Sequence, residues 1–367
     1  MVFLWTLDPL QKASSPNSSA ADLVTHTAKL SRMSKTPIQI PQGYLDPRVE
    51  SLPPIPPPDR DLSARLDGVV IPVWAGDVYL AKACCASIRR FMGDIPITLF
   101  VDGPATNTRQ VQRIHGVSRI VLQDVASAED ARFCSGSSWS KLPLFWMSPY
   151  ERFLCLDADT MVWGDVRVYA EFDRFDLIAA HHLHTRLKFQ TPEQVERYVF
   201  DVGVVAKLEP ALDWREKEFA VAGVFFARRG VFSEAHLMEL ARLDCWRNCE
   251  QGLLNYLRWR CLQQGAPRAG GHRFQIFPGE NVYQIEDRFL ARHHNRPTVI
   301  HWLGKKPKLG RPFQAANDYR KLFLTMIGQS EWVAARLLIE DVVVWLGRQN
   351  RSFAKQFQRE TMEGWIA

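Results

Sequence analysis

The run Phe153-Leu154-Cys155-Leu156-Asp157-Ala158-Asp159-Thr160-Met161-Val162 decides how the chain is read. Phe153 to Leu156 is an unbroken apolar stretch, too short for an ordinary helix and bounded by polar residues, so it predicts a strand buried on both faces of a parallel sheet. The stretch stops on two carboxylates. Side chains two apart on an extended chain point the same way, so Asp157 and Asp159 can face one spot beyond the strand's carboxyl end. Open α/β sheets bind ligands there. Two hard oxygen ligands suit Mg²⁺ or Mn²⁺, and such a cation usually holds a diphosphate.

Context, not the triplet, carries this reading. An Asp-x-Asp arises by chance about once in a chain of this length. Asp59-Arg60-Asp61 has the same spacing, but it follows Pro53, Pro54, Pro56, Pro57 and Pro58 with no strand before it. No site is assigned to it.

Upstream, Val69 to Trp74 reads as a buried first strand that breaks at Ala75-Gly76. Asp77 can cap a helix whose Leu80, Cys84, Ile88 and Phe91 share one face and which Gly93 can end. Strands follow at Ile97–Val101, ending on Asp102-Gly103, and at Ile120–Leu122. Strand, helix, strand of this kind predicts an α/β, doubly wound sheet. Neither a dinucleotide-binding glycine fingerprint nor a P-loop is present, which leaves a cation to hold phosphate.

The segment Ser138-Trp139-Ser140-Lys141-Leu142 leads into the central strand. Lys141 lies near the same sheet edge if that segment is a helix running back alongside, and is otherwise an ordinary exposed lysine. A strand at Leu177–Ala180 delivers His181, His182 and His184, read as polar lining of an acceptor pocket or as a solvated loop. Adjacent histidines without a cysteine partner do not make a zinc site. Phe219 to Ala227 predicts a strand in which Ala222-Gly223 permits close approach to the backbone. Glu250 and Gln251 then open a helix with Leu253, Leu254 and Leu257 beneath them. Thr298–Ile300 ends in His301, followed by Gly304, Lys305, Lys306 and Lys308. An imidazole favours Mn²⁺ over Mg²⁺, Gly304 admits a phosphate, and the lysines neutralise it. Standing alone, the same run would be a basic surface turn.

The composition sets outer bounds. The 367 residues are 46% hydrophobic, enough for a sizeable core, and no stretch approaches a membrane span. A net charge of +6 fits phosphorylated substrates or an anionic surface. It is too diffuse, with no basic stripe among aromatics, for nucleic acid. The first residues lack a secretory pattern. Cysteines at 84, 85, 134, 155, 245, 249 and 261 have no paired spacing and read as reduced core residues of a cytoplasmic protein. Residues 1–65 read as a serine- and proline-rich arm. Residues 313–367 read as a helical extension whose Trp332, Val333, Leu337, Leu338, Val342 and Trp345 precede Arg348, Arg351, Lys355 and Arg359. That stripe suits a cap, a homodimer contact or a peripheral membrane contact.

Taken in order, Asp157-Ala158-Asp159, the glycine-bearing strand, Glu250-Gln251 before Leu254-Asn255, and His301-x-x-Gly304 with lysines resemble a GT-A fold glycosyltransferase. The resemblance covers residues 66–312 and is strongest to the retaining family of glycogenin and the bacterial lipopolysaccharide galactosyltransferases. It implies a Rossmann-like mixed sheet and Mn²⁺ (or Mg²⁺) on Asp157, Asp159 and His301. It further implies a nucleotide-diphosphate sugar, UDP-linked by family default, and a glycan or small-molecule acceptor. Val70, Pro72 and Trp74 would meet the base, Asp102 the nucleoside, and Lys141 the phosphates or donor sugar. Gly304, Lys305 and Lys306 would hold phosphate, and Glu250 and Gln251 would flank the transferred sugar. Phe277-Pro278-x-x-Asn281 resembles a late element of the pattern. Two positions depart from it: Val221 stands where the family commonly has Asn, and Pro307 where its closing Lys falls. A sugar-1-phosphate nucleotidyltransferase and a non-catalytic sugar-nucleotide-binding assembly subunit are the competing readings.

Overall fold

The computed structural model describes residues 62–104, 106–135, 138–183, 188–189, 191–215, 217–277 and 297–301. The predicted arm therefore enters only from Leu62. The C-terminal extension, His184, Gly304, Lys305, Lys306, Lys308 and Asn281 lie outside the described residues.

The expected α/β architecture is present. Nine strands are described: β1 (Gly68–Trp74), β2 (Ile97–Asp102), β3 (Ser118–Val121), β4 (Arg152–Leu156), β5 (Thr160–Trp163), β6 (Leu177–His182), β7 (Val224–Arg228), β8 (Ala269–Ile276) and β9 (Thr298–His301). They form one sheet in the order β3-β2-β1-β4-β7-β6-β8-β9-β5. The half from β3 to β4 is parallel, β7 runs antiparallel to both its neighbours, and β5 runs antiparallel to β9. The sheet is thus mixed, its order reversing around β1 and β4, where α/β sheets place their ligands.

The central strand is buried on both faces, as its apolar run predicts. Leu154 and Leu156 pack on one side with Val69, Ile71, Val224 and Phe226. Phe153 and Cys155 pack on the other with Val70, Phe145 and Phe225. This alternation is the period of two expected of a strand. Each large apolar side chain fully buried in this way stabilises the fold by about 1.5–3 kcal/mol. Helix α1 (Val78–Met92) follows β1 and covers the first face through Leu80, Cys84 and Ile88. Helix α2 (Glu250–Gln264) sets Leu253, Leu254 and Leu257 against the second.

Two expectations are corrected. The strand predicted from Phe219 is ordered as a strand only from Val224, because Ala220 to Ala222 are engaged by side chains of α2 and not by a neighbouring strand. The segment around Lys141 is not one helix but a tight 3-10 turn (Ser138–Lys141) and a short helix (Leu144–Met147), separated by Pro143. Proline at that point removes the backbone donor a continuous helix would need.

Candidate functional site

Asp157 leaves the end of β4, and its backbone N–H donates to the Gly223 carbonyl at 2.8 Å. The chain then turns. Thr160 closes the turn through its N–H at 3.0 Å and its hydroxyl at 2.7 Å, both donated to the Asp157 carbonyl. Asp157 and Asp159 therefore converge through a turn, not through the extended geometry expected from the sequence. That turn hands the chain to β5, whose partner β9 places His301 opposite Thr160.

The outcome is a cluster of two carboxylates and one imidazole. Ligand atoms of Asp157, Asp159 and His301 lie within 4.8 Å of one another. His301 Nε2 is 3.4 Å from Asp159 Oδ1 and 3.7 Å from Asp157 Oδ2. Asp159 and His301 are buried, and Asp157 is partly open to solvent. Two oxygens and a nitrogen so placed fit a small divalent cation of the Mn²⁺ type. Gly223 makes the cluster possible. A Cβ there would collide with His301 Cε1 and stand 2.6 Å from Asp157 Oδ2.

Lys141 reaches the same spot from its 3-10 turn. Its Nζ sits 2.7 Å and 3.0 Å from the two Asp157 oxygens and 3.4 Å from Glu250 Oε1. Burial works against its charge, but Asp157 and then Glu250 outweigh it and hold the ammonium above its ordinary pKa. Glu250 behaves oppositely. Burial pushes its carboxyl up to about 7, only partly opposed by Lys141, which is bound more closely to Asp157. Its second oxygen, Oε2, is buried and has no hydrogen-bond partner among the described residues. The residue follows two non-glycine residues with left-handed backbone, Asn248 at φ 52° and Cys249 at φ 50°. Such strain costs on the order of 1–3 kcal/mol per residue and persists where the surroundings enforce it.

A pH effect follows for the metal-free protein. A carboxyl whose folded pKa is raised contributes stability below its unfolded pKa, and that contribution is lost as pH rises through the folded value. From about 4.5 to about 7 the loss comes to about 3 kcal/mol. Urea unfolding at pH 5 and pH 8 should therefore show the wild type losing stability relative to Glu250→Gln as pH rises. Parallel profiles would contradict the buried placement of this carboxyl, with one oxygen beside Lys141 and the other without a partner among the described residues.

Gln251 has a different part. Its Oε1 accepts from the Ala222 N–H at 2.8 Å and its Nε2 donates to the Ala220 carbonyl at 2.6 Å. Asn255, one turn on, accepts from the Ala220 N–H and donates to the same carbonyl. Together they clamp the segment that presents Gly223. The resemblance sets Gln251 beside the transferred sugar and gives Asn255 no role of its own; an amide one helical turn from another is the signal in the sequence for the clamp.

The remaining predicted residues spread along the sheet's carboxyl edge and beyond. Trp74, 55% exposed, ends β1, and its indole N–H donates to the Asp77 carboxylate. Pro72 is half-buried on the same strand. Asp102 ends β2 beside Trp74 and accepts from the Gln123 amide at 3.1 Å. Val70 has no exposed surface and lies inside the second apolar cluster, so it offers nothing to a ligand. The His182 ring lies tilted against Phe277 at 5.0 Å between ring centres, and the Phe277 ring meets His301 edge-on at 6.0 Å, which links His182 to the cluster. His181 is buried instead in a network with Arg258 at 2.8 Å and Glu218 at 3.7 Å. Burial, Arg258 and Arg273 drive its pKa well down. Val221 is buried among apolar neighbours. Sequence reasoning missed Gln275, a fully buried amide whose Nε2 lies 2.6 Å from His301 Nδ1.

No protein-family model and no curated protein sequence matches the chain. Solved structures do. The chain is similar to the apo structure of the bifunctional glycosyltransferase WbbM, at TM-score 0.49 and 14% identity over 74% of this chain and 51% of that one. It thus spans about half of WbbM. It is also similar to the galactosyltransferase LgtC with donor and acceptor sugar analogs, at TM-score 0.45 and 17% identity over 72% of this chain and 98% of that one. A third is glucosyl-3-phosphoglycerate synthase from Mycobacterium tuberculosis with Mn²⁺, uridine-diphosphate and phosphoglyceric acid, at TM-score 0.37 and 11% identity over 74% and 82% of the two chains. The first two are named as a glycosyltransferase and a galactosyltransferase. The chain itself has a mixed α/β sheet.

Proposed function

We propose that the chain is a metal-dependent glycosyltransferase that moves a sugar from a nucleotide-diphosphate sugar, UDP-linked, to an acceptor hydroxyl with retention at the anomeric carbon. One observation carries the reading: Asp157, Asp159 and His301 converge at the carboxyl edge of the sheet with Lys141 and Glu250 against them.

Asp157, Asp159 and His301 would hold Mn²⁺, which supplies a Lewis acid and counter-charge for the departing diphosphate. Trp74 offers an exposed indole for stacking a base, and Asp102 beside it an acceptor for the nucleoside. Lys141 is poised between Asp157 and Glu250, so a short shift of its ammonium can neutralise a phosphate oxygen. Glu250 contributes an anion, or a buried carboxyl ready to ionise, beside the carbon where positive charge grows. The acceptor hydroxyl enters on the face from which the diphosphate leaves and gives its proton to the leaving phosphate. Burial of the cluster strengthens each of these interactions.

A nucleotidyltransferase would need a loose, glycine-rich loop after β1 to cradle a triphosphate. Here that loop is closed on itself by the Trp74–Asp77 contact and by the Asp77 N–H donating to the Trp74 carbonyl at 2.9 Å. The purified protein should be incubated with a panel of nucleotide sugars and Mn²⁺, with and without chelator. Hydrolysis of one donor is expected, abolished by chelator and reduced at least about 100-fold in Asp159→Asn. Pyrophosphate release from a sugar phosphate and a nucleoside triphosphate would overturn the reading. Inverted product stereochemistry would overturn its retaining part alone.

A further inference from the structure

The inference rests on the metal reading of Asp157, Asp159 and His301. We propose that Gln275 is a positioning residue that selects the tautomer of His301, and hence whether the imidazole pairs with the two aspartates or coordinates a divalent cation beside them.

A neutral imidazole carries one N–H. To bind a cation through Nε2, the nitrogen that faces Asp157 and Asp159, His301 must keep its proton on Nδ1, and that proton needs an acceptor. Water cannot serve, because His301 is 2% exposed and Gln275 is fully buried. Among the described residues, the group at hydrogen-bond distance from Nδ1 is the Gln275 amide. An amide has a donor end and an acceptor end of nearly equal shape. With its NH₂ toward Nδ1, as in this structure, the ring proton belongs on Nε2 and points at Asp159 Oδ1, 3.4 Å away, and Asp157 Oδ2, 3.7 Å away. The ring then turns its one N–H toward the acids, nearest to Asp159 Oδ1. The amide's other end, Oε1, is left buried without a partner among the described residues.

Turning the amide end for end places Oε1 at Nδ1. The ring proton then belongs on Nδ1, and the Nε2 lone pair faces the two carboxylates, completing the donor set for a cation. No backbone movement is required. Gln275 is fixed on β8 opposite Val299 of β9, and its carbonyl accepts from the Leu183 N–H at 2.7 Å. Two neighbouring strands therefore hold the ring and its selector at a constant distance, and the amide rotation carries the change.

The test uses the full chain and two variants. Gln275→Met keeps length and bulk but removes both ends of the amide. Gln275→Glu, in its ionised form, keeps an acceptor and removes the donor, so it favours the proton on Nδ1. Mn²⁺ affinity read by electron paramagnetic resonance should fall about 10–100-fold in the Met variant. In the Glu variant it should stay at or above that of the wild type. Two-bond ¹H–¹⁵N spectra of the metal-free wild type should place the His301 proton on Nε2, and saturating Mg²⁺ should move it to Nδ1. A Met variant as tight as wild type, a Glu variant as weak as the Met one, or a ring proton that stays put on adding Mg²⁺ would each overturn the proposal. A wild type that binds Mn²⁺ no better than Asp159→Asn would overturn the metal reading itself, and the proposal with it.

Discussion

Gly223→Ala is expected to remove Mn²⁺ binding at concentrations that saturate the wild type, and to lower sugar transfer by about 1,000-fold. The added methyl group would strike His301 Cε1 and stand 2.6 Å from Asp157 Oδ2 and 3.0 Å from His301 Nδ1. None of these can yield without disturbing the cluster. The imidazole is buried and bonded to Gln275, and the Asp157 carboxylate is gripped by Lys141. The glycine cannot retreat either. Its carbonyl accepts from the Asp157 N–H, and the residues before it are clamped by Gln251 and Asn255. Its backbone lies outside the left-handed region, so the penalty is one of space and not of conformation. Overpacking of this kind costs about 1–3 kcal/mol, leaving a folded protein in which the cluster is splayed. Mn²⁺ titration together with thermal unfolding checks this. A folded variant with wild-type Mn²⁺ affinity would show that the glycine's close approach to the cluster is not needed for the metal.

Much of that cluster could be read from the chain because each part punctuates an apolar run. Asp157 and His301 close buried strands, and Gly223 stands just before another. What could not be read was how the parts meet. Asp159 reaches the cluster through a turn that leads into β5, a strand too short to announce itself, and β5 stands at the far edge of the sheet from β3. Local periodicity says nothing about which strands pair over more than a hundred residues. β8 was missed because Ala269-Gly270-Gly271-His272-Arg273 has the composition of a loop, although Phe274-Gln275-Ile276 alternates as a strand does. Gln275 sits inside that alternation. A buried amide there is the mark of a partner to satisfy, but the partner is on another strand. Val70, which the resemblance sets beside the base, lies in the middle of its strand and is packed in the second apolar cluster, whereas Trp74 at the strand's end is exposed.

The second large effect separates the adjacent pair that opens α2. Glu250→Gln should lower kcat by about 100- to 1,000-fold while leaving Mn²⁺ affinity nearly unchanged, the loss expected when one preorganised electrostatic partner of a transition state is removed. Glu250 is 6% exposed, faces Lys141, and keeps one oxygen without a partner among the described residues. That oxygen is available to a growing positive charge at the anomeric carbon, and glutamine retains its shape without its charge. Gln251 has nothing comparable to offer, since both ends of its amide are engaged by Ala220 and Ala222. Gln251→Ala should therefore act through the segment that presents Gly223, weakening Mn²⁺ binding and stability together, with kcat falling only as metal is lost. Steady-state kinetics at saturating Mn²⁺, set beside direct metal titration, distinguishes the two patterns. If Glu250→Gln keeps full kcat while Gln251→Ala loses it at undiminished Mn²⁺ affinity, the roles are reversed, and the amide must leave its backbone partners to reach the sugar.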